Sequence, residues 1–423
     1  MTQAMNAAFS DPGRNDGAPY DVEQVRQDFP ILSETVYGKP LVYFDNGASA
    51  QKPRQVIDSM REVFEHSYTN VHRGAHYLSQ QLTDRYEAVR ETVARFLNAP
   101  SPEQIVFTRN TTEAINLVAA SYGRTHLKAG DEIVLSVMEH HANIVPWQLL
   151  RDEKGVVLKV VPVDETGALD MDAFARALGP KTRLVAIAHC SNVLGTVTPA
   201  AEIARLAHEK DVPVLFDGSQ SVVHMPVDVQ AIDADFYVFT GHKLYGPNAI
   251  GALYGKAELL ASMPPYQGGG DMIERVTFEK TTYQQPPYRF EAGTPPIVET
   301  IGLGVAIDYV SALGMAAIAA HERELRRYAT ERLGEVGGIR LFGTAADKAA
   351  ILSFVQEGIH PMDTAMWLDR AGVAVRVGQH CAEPLMSHLG IDGAVRASLG
   401  LYNTKAEVDV MIDALTAAKA KFT

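Results

Sequence analysis

Seven short apolar runs alternate with helix-patterned segments between residues 105 and 254, and no other feature restricts the fold of this chain as tightly. The runs are Ile105 to Thr108, Glu132 to Val137, Val156 to Val161, Leu184 to Ala188, Val212 to Phe216, Phe236 to Phe239 and Gly251 to Tyr254. Each has strand length and is rich in β-branched or aromatic residues. Between several of them, residues 113–122, 171–178 and 200–210 repeat apolar positions at helical spacing. Such alternation predicts an α/β fold: a mostly parallel, seven-stranded sheet with helices on both faces.

The pattern changes after the last run. Gly268, Gly269 and Gly270 and three Pro-Pro pairs mark a long irregular stretch, followed by a helical pattern from about Val298 to Leu333 that breaks at Gly314. We place a boundary there, with a large domain over 20–313 and a smaller C-terminal α+β domain over 314–423. The smaller domain is expected to hold strands at 351–355, 373–377 and 395–399, a helix near 364–370 and a closing helix over 406–421. Residues 1–19 lack periodicity and are expected to form a mobile arm. Asp21 to Phe29 reads as a short helix capped by Asp21, a candidate to pack on the small domain.

A formal net charge of -13 argues against nucleic acid or an anionic membrane as the main partner. The only cysteines are Cys190 and Cys381, so no disulfide framework is implied and a reducing cytoplasm fits best. No secretory leader and no run of transmembrane length is expected.

In open α/β sheets, ligands bind beyond the carboxyl ends of the strands, and polar groups gather there. Asp217 ends one run and Lys243 follows another 26 residues later. A carboxylate and an amine on neighbouring strand ends suit pyridoxal phosphate, which bonds a lysine through its aldehyde and needs an acid beside its ring nitrogen. The turn Thr108 to Glu113, with Thr111 and Thr112, is either a phosphate cradle or a plain helix cap. An imidazole in Glu139-His-His-Ala-Asn143 is placed to stack on a ring or is an ordinary loop residue. Thr240 and His242 flank the lysine and suit phosphate contacts, while Asn192 and Arg396 suit an amino-acid carboxylate. No metal is expected, because Asp217 has no second ligand at metal spacing. Cys381 sits in a loop between Gly378 and Pro384, where Arg376 and His380 are placed to favour its thiolate. Cys190 ends an apolar strand and reads as structural.

With the segments Tyr43 to Ala48, Asn70 to Ala75, Met138 to Trp147, Thr240 to Pro247 and Gly378 to Ala382 assembled, the chain resembles the SufS-type (group II) cysteine desulfurases. These belong to the class V aminotransferase group of fold-type I pyridoxal phosphate enzymes. The resemblance implies that Lys243 is the Schiff-base lysine, Asp217 the partner of the ring nitrogen and His140 the stacking imidazole, with a part in proton transfer. It implies Gln220 on the phenolic oxygen, and Thr111, Thr112, Thr240 and His242 on the phosphate. Thr294 would reach the phosphate of a neighbouring subunit, so a homodimer with shared sites is implied. Asn192, Arg396, Arg376, His72 and Arg73 would bind substrate, and Cys381 would carry the persulfide. L-cysteine is then the substrate and a SufE-like or SufU-like protein the sulfur acceptor, serving iron–sulfur cluster assembly. L-selenocysteine cleavage or cysteine sulfinate desulfination on the same scaffold, or a cofactor-free assembly scaffold, are the alternatives. Two departures stand out: Gln379 where many members have His, and Cys190 where an apolar residue is usual.

Overall fold

All seven expected runs enter one sheet. In the computed structural model, which describes residues 20–422, they are Ile105–Thr108 (β1), Glu132–Ser136 (β2), Val157–Val161 (β3), Thr182–Ala188 (β4), Val214–Asp217 (β5), Phe236–Thr240 (β6) and Gly251–Gly255 (β7). The expected arm over 1–19 lies outside the described residues. The strand order is β1-β7-β6-β5-β4-β2-β3. Only β7 runs antiparallel to its neighbours, β1 and β6; every other pairing is parallel. Successive residues of the inner strands feed opposite cores: Val214 and Phe216 pack in one cluster, Leu215 in the other. Burial on both faces explains why these strands read as continuous apolar runs rather than alternating ones.

Helix Ile297–Leu313 leaves this layer, and the chain turns through 74° at Gly314 into helix Met315–Glu335. Gly314 has φ +86°, a conformation open to glycine and costly for other residues. A second, antiparallel sheet follows, with Ile339–Phe342 (β8), Ile351–Gln356 (β9), Arg376–Gly378 (β10) and Ala394–Ser398 (β11) in the order β8-β9-β11-β10. The sequence predicts one strand over 373–377. The chain instead divides it: Val373–Ala374 pairs in parallel with Val42–Tyr43, and Arg376–Gly378 pairs with β11.

The first described helix meets the C-terminal region of the chain. Asp21 caps helix Val22–Gln27 by accepting from Gln24 N (3.1 Å), and the helix docks on the C-terminal region. Tyr20 Oη donates to Leu401 O (2.7 Å), and Arg26 binds Tyr402 O (2.6 Å) and Glu407 (2.9 Å). Among the described residues, no single helix is long and apolar enough to cross a membrane.

Candidate active site

The parallel strands β2, β4, β5 and β6 present their carboxyl ends to one cleft of about 370 Å³, closed on the far side by Arg376, Val377, His380, Cys381 and Arg396. Thr111, Thr112, His140, Asn192, Asp217, Gln220, Thr240, His242 and Lys243 line the same cleft. The strand-end reading therefore gathers most of the expected site residues in one place.

Asp217 ends β5 and is buried. Its Oδ1 accepts from Ser219 N (2.9 Å) and Ser219 Oγ (2.6 Å), and Ser219 Oγ meets Thr111 Oγ1 at 2.8 Å. Gly218 packs so closely on Tyr237 that a Cβ there would stand 2.1 Å from the ring. Lys243 follows β6, and burial lowers its amine to about 8, with Asp217 opposing the shift and Arg396 adding to it. The same burial, reinforced by Lys243, holds His140 at about 4, so its imidazole is neutral near pH 7. His140 Nδ1 accepts from Ala142 N (3.0 Å), which leaves the ring proton on Nε2. His242, also lowered to about 4 by burial, is neutral near pH 7 and could donate to a phosphate only as a neutral imidazole.

Asn110 caps helix Thr111–Val118 by accepting from Glu113 N (3.0 Å). The return bond of a capping box goes one residue further back, from Arg109 N to Glu113 Oε2 (2.5 Å). This turn, through Asn110, Thr111 and Thr112, and a buried Thr240 hydroxyl without any partner both belong to the cleft wall. A buried orphan hydroxyl is costly unless a ligand completes it. Together with a carboxylate at Asp217 and an amine at Lys243, these residues fit pyridoxal phosphate: the turn and Thr240 for phosphate, Asp217 for the ring nitrogen, Lys243 for the aldehyde. Gln220 commits one amide N–H to Gly47 O (2.9 Å) and lines the cleft with the rest of its side chain.

Arg396, on β11, is 2% exposed, and burial brings its guanidinium down to about 10. One terminal nitrogen donates to Asn192 O (2.9 Å), the other lies 3.5 Å from Asp45, and Nε has no partner. Such a group is poised for a carboxylate. Asn192, expected beside it, spends an amide N–H on His380 O (2.8 Å) and so also braces the cysteine loop.

Cys381 is exposed, and both it and His380 adopt left-handed backbone (φ 55° and 54°). The electrostatic reading of this loop needs correction. His380 is buried, held at about 3 by burial, and bonded through Nε2 to Ala394 O (2.9 Å), so it brings no positive charge to the thiol. Arg376 is balanced by Asp45 at 2.9 and 3.0 Å. Lys243, Arg376 and Arg396 each interact electrostatically with Cys381. Cys190 also reaches the cleft wall, but burial pushes its thiol up to about 12 and it contacts Gly195 O at 3.4 Å. Such burial disfavours the thiolate of Cys190.

Thr294, His72 and Arg73 are not brought to the cleft of their own chain. His72 bonds Glu87 (2.8 Å), Arg73 bonds Asp271 (2.8 Å), and Thr294 lines a separate cavity with Arg109 and Glu113. Three residues that the sequence reading left without a role belong to the site. Asp45 holds Arg376 and Arg396. Glu139, fully buried, accepts from Ser136 Oγ, Asn143 Nδ2 (2.7 Å) and Ala188 N (3.1 Å), anchoring the His140 turn to β4. His141 touches the cysteine loop twice. All three stand in or beside the quoted motifs, and that was their only signal. Among the described residues, no group of three or more His, Cys, Asp or Glu is arranged to hold a metal ion.

Comparison with known proteins agrees with this geometry. The chain is 52% identical over 402 residues to a probable cysteine desulfurase of Mycolicibacterium paratuberculosis, covering 95% of this chain and 59% of that protein. A cysteine desulfurase of Dickeya dadantii is 53% identical over 397 residues, 94% of this chain and 96% of that one. The chain spans about three fifths of the length of the first curated relatives it matches. Among solved structures, the cysteine desulfurase CsdA of Escherichia coli superposes with a TM-score of 0.89 at 39% identity, covering 96% of this chain and all of that one. A cysteine desulfurase of Thermococcus onnurineus NA1, solved without ligand, gives 0.89 at 38%, covering 94% and 97%. Since the sequence pattern of the class-V aminotransferases also matches residues 42–411, the chain belongs to that family of pyridoxal phosphate enzymes.

Proposed function

We propose that this chain is a cysteine desulfurase, converting L-cysteine to L-alanine with transfer of the sulfur to Cys381 as a persulfide. The observation that carries this reading is a free, exposed thiol on the wall of the same cleft as Lys243, Asp217 and His140. A transaminase or hydrolase on this fold has no use for it. The cofactor, when bound, draws electrons from the substrate's Cα and so loosens the bonds around it.

The chain's own groups supply the rest. Arg396 receives the substrate carboxylate with its unpartnered Nε–H and its terminal nitrogens. Lys243, with an amine near 8, takes the Cα proton in its neutral form. The Cys381 thiolate attacks the substrate sulfur: the S–S bond forms, the Cβ–S bond breaks, and the electron pair leaves with the carbon. The electron pair on Cβ takes a proton, supplied from the substrate thiol by way of the His140 Nε2–H, and Lys243 returns the other proton to Cα, which completes alanine. Overall, cysteine and an enzyme thiol give alanine and an enzyme persulfide, with no external oxidant.

Within this reading we place the chain in the SufS-type subgroup, supplying sulfur for iron–sulfur cluster assembly. Support comes from the compact cysteine loop, since only 15 residues separate Cys381 from Arg396. A persulfide held there needs an acceptor of SufE or SufU type to come to it. We also propose a homodimer, because Thr294, His72 and Arg73 lie away from the cleft of their own chain. Single-turnover assays of the holoenzyme with L-cysteine test the core proposal. They should yield about one alanine per site, with the extra sulfur mapped by mass spectrometry to Cys381. Cys381→Ser should yield none. Undiminished alanine formation by that variant would refute the assignment.

A further inference from the structure

His141 has no role in the reaction as described, yet it is bonded to the cysteine loop at two places. Its main-chain N–H donates to Cys381 O (2.7 Å). Its imidazole Nε2 accepts from Glu383 N–H (3.1 Å). One residue thus grips the loop on both sides of Ala382, across a sequence distance of 242 residues. His141 is peptide-linked to His140, and the turn that carries both is fixed to β4 from behind by Glu139, through Asn143 Nδ2 and Ala188 N. The loop it grips is strained, with Cys381 and His380 both left-handed without being glycine, and such a conformation persists only where its surroundings hold it. Two further tethers, Asn192 Nδ2 to His380 O and His380 Nε2 to Ala394 O, both act on the residue before the thiol, whereas the His141 imidazole acts beyond it.

We infer that His141 is a positioning residue for the nucleophile: it fixes where the Cys381 sulfur stands relative to the His140 side of the cleft. This rests on the desulfurase reading above and deepens it. The rigid Glu139–His140–His141 turn joins the large sheet, the proton-handling imidazole and the cysteine loop. Removal of the His141 imidazole leaves the main-chain bond to Cys381 O and the tethers at His380 intact but frees Glu383 N–H, so the segment just beyond the thiol loses its side-chain anchor to the His140 turn. The ring site does not use that bond. The loss therefore falls on sulfur transfer and spares the steps before it.

The test is stopped-flow and quench-flow work on the holoenzyme with L-cysteine, comparing wild type, His141→Ala and His141→Gln. For His141→Ala, the cofactor absorbance and its first change on mixing with L-cysteine should match wild type. Single-turnover formation of alanine and persulfide should fall about tenfold, the scale of one lost hydrogen bond. His141→Gln, whose side-chain oxygen can accept from Glu383 N–H, should recover most of that loss. A His141→Ala enzyme within twofold of wild type, a Gln variant no better than Ala, or a loss that appears equally in the first absorbance change would each overturn the inference. Cys381→Ser, run alongside, separates the two levels. If it turns over like wild type, the desulfurase reading itself fails. If it is silent while His141→Ala runs at full rate, only the role of His141 falls.

Discussion

Glu139 is a buried carboxylate among three donors, and burial still pushes it up to about 7. The folded chain keeps this proton to about pH 7, whereas the unfolded chain releases it near 4.5. The stability tied to it is therefore complete below about pH 4.5 and disappears as the pH rises through 7, roughly 3 kcal/mol in all. Glu139→Gln has no proton to lose, so its stability relative to wild type should climb over that window. Urea midpoints at pH 5 and pH 7.5 check this, and a pH-independent difference would contradict it. Arg396 gives a second prediction at the same scale. Lysine cannot reproduce a planar fork with a free Nε–H, so Arg396→Lys should cut kcat/KM for L-cysteine roughly tenfold to a hundredfold. Steady-state kinetics would show this chiefly as a raised KM. A variant with unchanged KM would remove Arg396 from the substrate grip.

Elements show where sequence reading succeeds and where it stops. Gly314 serves as the last cap of one helix and the first of the next at φ +86° and ψ 112°. Gly314→Ala should cost roughly 1–3 kcal/mol of stability, read as a lower denaturation midpoint, because a Cβ is strained there even with open space around it. That break, like the seven strands of the large sheet, was legible because glycine and doubly buried strands leave marks within a few residues. The strand at 373–377 was misread as one piece, since nothing local reveals that its two halves pair with segments from opposite ends of the chain. Ile339–Phe342 escaped notice because its four residues are too few to show a period and follow two glycines. The site divides in the same way. Asp217 and Lys243 declare themselves at strand ends. His380 was read from its place in the loop as a partner of the thiol, but it is buried and bonded to Ala394 O on a neighbouring strand. The loop itself carries a prediction: with L-cysteine alone, alanine release should stall after about one equivalent per site, and an acceptor protein presenting its own cysteine should relieve the stall. Fast steady turnover without acceptor or added thiol would argue against a loop of short reach.

At the scale of the whole molecule, the proposed dimer makes a distinct demand. Lys243→Ala and an Arg73→Ala/Thr294→Val double variant, each inactive alone, should recover up to about a quarter of wild-type activity when mixed and allowed to exchange. No recovery at any mixing ratio, with exchange verified, would mean that each chain works alone. The smaller sheet has another consequence. Asp45 bonds Arg376 across 331 residues, and Arg26 bonds Glu407 across 381. During synthesis Val42–Tyr43 has no strand partner until Val373–Ala374 has emerged, more than 300 residues later. The large sheet, complete by Gly255, has no such wait. Closing loops this long is slow relative to local pairing. The chain is therefore expected to form its cofactor-binding wall first and to dock the loop of Cys381 last, so that this thiol meets the cleft only once the wall is complete.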